Sequence, residues 1–258
     1  MLLLDVFYLL MLILLSPWLL LMLAIKPAFR EGFAARFILR NSNGRLRESV
    51  WLHGSSAGEI NLLRPLVTEI EQQSTARNIV ISAFSISGFT AAKKVFPQHL
   101  VIYFPVDFSP VIRGFLKRLR PVLIVLVEIE FWPNFIATVG KADVSVCVLN
   151  SRMSQKSFQV HKRTRLIPWV LKQISLFAVQ TESDATRFRD LSVPESRIHV
   201  TGNMKYDLQD GRKPEEAQHE RRERRQRYAV DEDMPVIIGG SIHRGEDLAL
   251  ARAYQRLL

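Results

Sequence analysis

Apolar positions fall into contrasting patterns along this chain. Val6 to Ile25 is almost unbroken Leu, Met, Ile, Phe and Trp, interrupted by Tyr8, Ser16 and Pro17. About twenty such residues suffice to cross a hydrocarbon core. Apolar side chains on every face set this run apart from an amphipathic helix on a soluble core. From Val50 onward short apolar runs alternate with helical spacing. The runs Val50–His53, Ile79–Ala83, Leu100–Phe104, Leu123–Val127, Val144–Leu149, Leu176–Val179 and Ile198–Thr201 read as buried strands. Leu62–Gln72, Thr90–Val95, Val111–Leu119 and Trp132–Val139 read as helices. Such alternation predicts an α/β fold with a parallel sheet covered on both faces. Ligands of these sheets bind beyond the C-terminal strand ends. The informative loops are therefore 53–59, 84–88, 105–107, 128–134, 150–154, 180–184 and 202–207.

The pattern changes near Gln209. Residues 212–227 mix Arg, Lys and Glu with almost no apolar side chains, which predicts a solvated, ion-paired helix. Pro235 to Ser241 then reads as a new buried strand entering a glycine turn, and Gly245 to Leu258 as a helix. One strand and one helix cannot build an independent core. The expected organisation is a membrane anchor at 1–25, a Rossmann-like domain at 26–208, a charged linker at 209–234, and the opening of an incomplete second domain at 235–258.

Charge adds a direction to this picture. The formal net charge of +10 favours anionic partners: lipid headgroups, phosphorylated substrates or nucleic acid. No helix-turn-helix, zinc-finger or RNP pattern is present, so nucleic acid is set aside. Asp5 precedes the apolar run, and Lys26, Arg30, Arg36 and Arg40 follow it. That asymmetry places the downstream domain on the cytoplasmic side. The acidic start, with no Ala-x-Ala-type site, argues against a cleaved signal peptide. Pro17 permits a kink, which keeps a helix lying partly in the bilayer open beside a full span. The single cysteine, Cys147, rules out an intramolecular disulfide and reads as a small core residue.

The densest chemistry lies in His53-Gly54-Ser55-Ser56-Ala57-Gly58-Glu59, a strand end, a small-residue turn and a helix start. Backbone N–H groups at a helix start favour an anion. A carboxylate there is expected to have a depressed pKa and stay ionised. Glu59 could then take a proton from a substrate hydroxyl. The same residue also suits a plain first-turn cap. His53 reads either as a site residue or as a hydrogen-bonded strand-end histidine.

Eight segments, taken in order, give this chain a family likeness. They are His53-x-x-Ser56-x-Gly58-Glu59, Ser85-Ile86-Ser87-Gly88, Tyr103-Phe104-Pro105-Val106-Asp107, Glu128-Ile129-Glu130-Phe131-Trp132-Pro133-Asn134, Asn150-Ser151-Arg152-Met153-Ser154, Gln180-Thr181-Glu182-Ser183-Asp184, Gly202-Asn203-Met204-Lys205-Tyr206-Asp207 and Gly240 to Glu246. The set resembles the Kdo transferases, which add 3-deoxy-D-manno-octulosonic acid (Kdo) to the lipid A precursor of Gram-negative bacteria. Ile86 and Ser87 depart from the usual Thr-Pro-Thr-Gly-like loop. The likeness covers the family's N-terminal half and the first elements of its C-terminal half.

The resemblance implies a GT-B architecture, with this chain carrying the acceptor domain and a truncated C-terminal donor domain. It implies that Glu59 is the general base. A hydroxyl of the lipid A precursor would attack the anomeric carbon of CMP-Kdo, releasing CMP with inversion. Lys205 would serve a phosphate or carboxylate as a point charge. Glu128 and Glu130, two apart at a strand end, should point to opposite faces. The resemblance favours Glu128 in the site, with Glu130 orienting Lys205, Arg152 or the loop. His53, Ser56, Gly58, Arg152 and Asn203 would bind substrate, Arg152 through an acceptor phosphate. No cofactor and no metal are implied, since His243 and Glu246 lack a third ligand. The implied partners are CMP-Kdo, the lipid A precursor and the cytoplasmic face of the inner membrane. Two other readings stand beside this one. The first is a non-catalytic membrane-bound module that binds the lipid A precursor. The second is another GT-B enzyme such as a nucleotide-sugar epimerase, although the epimerases lack the anchor and the His53–Glu59 loop.

Overall fold

Among the described residues seven parallel strands form one sheet, and they fall on the seven apolar runs between Val50 and Thr201. They are β1 (Ser49–His53), β2 (Asn78–Ala83), β3 (Leu100–Tyr103), β4 (Pro121–Val127), β5 (Ser145–Ser151), β6 (Leu176–Val179) and β7 (Ile198–Val200). The sheet order is β3-β2-β1-β4-β5-β6-β7. The computed structural model describes residues 2–25, 27–39, 46, 48–73, 78–128, 130, 132–164, 166–208, 214–232, 234, 236–240, 242–243 and 245–256. The basic Lys26 and Arg40 and the motif positions Ile129, Phe131, Ser241 and Arg244 lie outside the described residues.

The strand order reverses between β1 and β4, which pair with His53 opposite Leu126. Connections from these two strands leave in opposite directions, so a crevice opens beyond their C-terminal ends. The loops that follow β1 and β4 therefore face each other.

Among the described residues eleven α-helices accompany the strands: α1 (Leu2–Ile25), α2 (Pro27–Phe37), α3 (Ala57–Gln73), α4 (Ile86–Val95), α5 (Ser109–Leu119), α6 (Pro133–Lys141), α7 (Gln155–Lys162), α8 (Leu166–Leu171), α9 (Glu182–Asp190), α10 (Pro214–Arg227) and α11 (Glu246–Gln255). Alternate residues of each strand feed two cores, one on each face of the sheet. Trp51, Ile124, Leu126, Val146 and Val148 pack with Phe104, Phe115 and Phe135. Val50, Leu52, Ile81, Val125 and Val127 pack under Ile60, Leu63 and Val67 of α3. Burial on both faces is why these strands read as continuous apolar runs.

The chain divides into two compact units, Met1–Gln209 and Asp210–Leu258. The N-terminal helix belongs to the first, although 1–25 reads from sequence as a separate anchor. Asp5 Oδ1 accepts from the Ser109 N–H and from Asn134 Nδ2, both at 2.9 Å. The Tyr8 hydroxyl donates to Asp107 Oδ2 at 3.2 Å. These polar groups sit at the start of an otherwise apolar helix, where the core offers them partners.

In the second unit, α10 carries surface ion pairs such as Arg224–Glu220 at 3.0 Å, as its mixed-sign composition suggests. The run expected as a buried strand differs. Residues 236–240 form no strand, and Ile238 is 84% exposed. A strand needs a neighbour to satisfy its backbone, and the described residues of this unit contain none.

Candidate functional site

β1 delivers His53 to the edge of the crevice, and Gly54 turns the chain. A side chain at Gly54 would place its Cβ 3.0 Å from the Glu59 backbone carbon. Only glycine lets the strand end lie so close to the first turn of α3. Glu59 occupies that turn. Its Oε2 accepts the Ser55 N–H at 2.6 Å, and its Oε1 accepts the Ser56 hydroxyl at 2.9 Å. Ser56 Oγ in turn accepts the Glu59 N–H at 3.3 Å. This is a capping box displaced by one residue. The cap and an oriented carboxylate are thus the same arrangement.

The electrostatics differ from the sequence expectation. The Glu59 carboxyl is raised, not depressed. Burial is the main cause, and the repulsion of Glu130 and Glu128 adds to it, against the Ser55 and Ser56 hydrogen bonds. Position at a helix start is outweighed by desolvation and by two like charges. A raised carboxylate is a stronger base, which suits proton abstraction better than the expected depressed one.

Those like charges come from the loop after β4. The strand ends at Val127, so the alternation assumed for Glu128 and Glu130 does not reach them. Glu128 takes a left-handed backbone, φ 62°, while its N–H donates to the Leu149 carbonyl at 2.8 Å. Such a conformation in a non-glycine residue persists where its surroundings hold it. Glu128 influences Glu59 through space, as a negative neighbour. Glu130 is the residue that crosses the crevice. Its Oε2 accepts from His53 Nε2 at 3.0 Å and from Trp132 Nε1 at 2.9 Å, and its Oε1 accepts the Ser55 hydroxyl. Burial alone would raise the Glu130 carboxyl, but the His53, Ser55 and Trp132 interactions together hold it below its ordinary value.

His53 is completely buried and stacks on Phe104, with ring centroids 4.0 Å apart. Both of its ring nitrogens are engaged within the chain, by Ser82 and Glu130. With its Nε2–H given to Glu130, Nδ1 accepts the Ser82 hydroxyl at 2.9 Å, and Ser82 Oγ accepts Trp51 Nε1–H at 2.7 Å. This directional chain runs from the core to Glu130 and holds the Ser55 end of the Glu59 loop.

The loop after β2 completes the support. Ser85 caps α4 by accepting the Gly88 N–H at 2.9 Å, and its hydroxyl donates to the Ser55 carbonyl at 2.7 Å. A Cβ at Gly88 would lie 2.7 Å from that carbonyl. Gly88 is therefore required by the neighbouring loop.

The other sequence candidates are spread along the same edge. Gly58 has only the Ser56 hydroxyl near its missing side chain, at 3.7 Å. Among the described residues nothing requires glycine there, and the first turn of α3 is left open on that side. Lys205 is exposed on the 3-10 turn Met204–Leu208, which packs against α3. The turn is held by Asn150 Oδ1, which accepts the Met204 N–H at 3.1 Å. Asn203 serves the loop itself, with Nδ2 donating to Gln180 and Oδ1 accepting the Lys205 N–H at 3.0 Å. Arg152 is exposed just beyond β5. Among the described residues, no hydrogen bond or ion pair ties Arg152 or Lys205 to Glu59. Nor does any group of three His, Cys, Asp or Glu side chains form a potential metal site.

Asp107 ends the segment Tyr103–Asp107, and its sequence context alone signals no role. It is buried, and its carboxylate accepts the N–H groups of Asn134 at 3.2 Å and Phe135 at 2.7 Å. It thereby caps α6, while Asn134 Nδ2 donates back to the Asp107 carbonyl at 3.0 Å. Burial raises this carboxyl against the Phe135, Asn134 and Tyr8 hydrogen bonds, with Asp5 adding to the rise. An apolar cavity of about 370 Å³ lies beside it, walled by Tyr8, Leu9 and Leu12 of α1, by Phe33 and Phe37 of α2, and by Trp132 among others.

Comparison with known proteins identifies the family of this chain. Residues 31–208 match the family described as 3-deoxy-D-manno-octulosonic-acid transferase (kdotransferase). A bifunctional glycosyltransferase/methyltransferase of Fusobacterium nucleatum is 33% identical over 81% of this chain and 33% of its own length. A 3-deoxy-D-manno-octulosonic acid transferase of Haemophilus influenzae is 27% identical over 92% of this chain and 55% of its own. The chain thus spans about half the length, or less, of these relatives. Among solved structures, a UDP-GlcNAc 2-epimerase from Neisseria meningitidis superposes with a TM-score of 0.48 at 12% identity, over 62% of this chain and 48% of that one.

Proposed function

We propose that this chain, which belongs to the 3-deoxy-D-manno-octulosonic-acid transferase family, is the acceptor-binding part of a glycosyltransferase that moves Kdo from CMP-Kdo to the lipid A precursor. The observation that carries the reading is the raised, loop-held carboxylate of Glu59 at the crevice between β1 and β4. In the proposed reaction Glu59 takes the proton of an acceptor sugar hydroxyl. That oxygen attacks the anomeric carbon of Kdo, the bond to the CMP phosphate breaks, and configuration inverts. Ser55 N–H and the Ser56 hydroxyl aim the base. Glu128 and Glu130 keep its proton affinity high. Lys205 offers a cation for the leaving phosphate or the Kdo carboxylate, and Arg152 a guanidinium for an acceptor phosphate. Gly58 leaves room for the acceptor beside the base. The donor nucleotide would be held mainly by a second, GT-B-type domain that residues 235–258 open. The apolar α1 suits a substrate that is itself a membrane lipid, at the cytoplasmic face of the inner membrane.

The test is transfer of Kdo from CMP-Kdo to lipid IVA by the complete protein and by its Glu59→Gln variant. Loss of turnover with retained folding supports the base. Near-normal turnover would remove Glu59 from the mechanism.

A further inference from the structure

α1 is long and apolar enough to cross a membrane, yet its first turns are bonded to the sheet domain. Asp5 accepts from the Ser109 N–H and Asn134 Nδ2, and Tyr8 donates to Asp107. Asp5 thus places a carboxylate at the N-terminal end of α5, where an anion is favoured. Leu9 and Leu12 follow on the wall of the 370 Å³ cavity, facing Val106, Phe108 and Val111 of the domain. The helix is therefore held by the domain from Asp5 to Leu12.

The chain also returns to that domain. Phe33 and Phe37 of α2 wall the same cavity. Arg36 donates to the Phe104 carbonyl at 3.4 Å and to the Phe84 carbonyl, and its own carbonyl accepts the Val106 N–H at 3.3 Å. Its guanidinium also sits 4.3 Å over the Phe84 ring. Between these two attachments α1 has no buried residue and presents exposed apolar side chains, Leu14, Trp18, Leu20 and Ile25 among them.

Length decides what this exposed part can do. From Ile13 to Ile25 the helix is about 20 Å long at 1.5 Å per residue. A hydrocarbon core is about 30 Å thick. A crossing helix would carry Asp5 to the face opposite the domain, breaking all three polar contacts and opening the cavity wall. We infer that α1 does not cross the bilayer: the chain leaves the domain after Leu12, immerses Ile13–Ile25 in the nearer leaflet, and is back on the domain by Phe33. The partner of this surface is a single lipid leaflet, and both ends of the anchor lie on the side that holds the β1–β4 crevice. Pro17, inside the immersed part, lacks the N–H of a regular helix and permits a bend toward the membrane plane.

The experiment uses the complete protein in sealed right-side-out and inverted membrane vesicles. Cys147 is replaced by serine, and single cysteines are introduced by Leu2→Cys ahead of Asp5 and by Lys156→Cys on the exposed side of α7. A membrane-impermeant maleimide is expected to label both positions from the same face. Labelling of Leu2→Cys from the opposite face overturns the inference. Labelling only after detergent, which would bury the N-terminus in the bilayer, overturns it equally. A protease-cleavable epitope joined ahead of Met1 gives a second readout that leaves the helix unchanged. Cleavage from the face that exposes Lys156 is expected, and cleavage from the other face overturns the inference. Neither readout depends on Kdo transfer.

Discussion

Glu59 and Asp107 are both carboxylates at a helix start on the C-terminal edge of the sheet, and they differ in what surrounds them. Asp107 caps α6, a helix 26 residues further along, with two backbone N–H groups and the Tyr8 hydroxyl on its oxygens. Glu59 caps its own helix with one N–H and one hydroxyl, and it faces Glu128 and Glu130. Burial raises both groups. At Asp107 the donors are arranged to knit distant segments together. At Glu59 fewer donors and two like charges leave a carboxylate that gains from accepting a proton. The same chemical group at a helix start is tied down or left with a high proton affinity according to the tertiary groups placed around it.

The largest expected effect separates the two directly. Glu59→Gln keeps shape and removes the proposed base, so transfer by the complete protein should fall roughly 10²–10⁴-fold. The raised carboxyl also sets a stability trend. Its contribution is present below the ordinary glutamate range and is lost as pH rises through the folded-state pKa. Gln removes that loss, so the variant should melt no lower than the parent at neutral pH. A marked fall in melting temperature would make Glu59 a cap like Asp107.

Asp107→Ala is expected to do the reverse. It leaves the Asn134 and Phe135 N–H groups without their acceptor in a buried place, a cost of about 1–3 kcal/mol. Denaturant unfolding at neutral pH measures it. Unchanged stability with lost activity would move Asp107 into the reactive class.

Glu130→Gln should act on Glu59 through the loop and through charge. The rate should drop roughly 10-fold as the Ser55 tie loosens, within what small misplacements cost. With one negative neighbour gone, the Glu59 pKa falls, and the acid limb of the pH–rate profile should move to lower pH. A drop in rate with an unmoved acid limb would assign Glu130 a scaffolding role alone.

The smallest difference concerns Lys205. Its exposure makes it dispensable for folding, so Lys205→Ala should leave the melting temperature within a degree or so and reduce turnover more than Lys205→Arg does. Equal, mild effects of both would return Lys205 to a structural role in its turn.

The sheet was legible because parallel strands buried on both faces carry unbroken apolar runs, and the seven runs from Val50 to Thr201 needed no other signal. α7 and α9 carry no apolar periodicity that marks them as helices, since their sequences are mostly polar. Their caps were nonetheless present: Ser154 accepts the Ser157 N–H, and Thr181 accepts the Asp184 N–H. The Glu59 loop was legible from its small residues and its capping spacing. The sign of the Glu59 shift was not, because it depends on burial and on two glutamates about seventy residues away, which only the β1–β4 pairing brings near.

Sequence by itself determined the seven buried strands between Val50 and Thr201, though not the fate of the apolar run at 236–240, and that one helix is apolar enough for lipid. These follow from local periodicity and local backbone chemistry, which neighbours along the chain decide. Only the tertiary structure decided that Glu130 holds His53 and Ser55, that His53 is sealed in the core, and that Asp5 is bonded to the starts of α5 and α6. Those outcomes rest on polar groups far apart in sequence meeting where water is excluded, and no local pattern encodes which partners will meet.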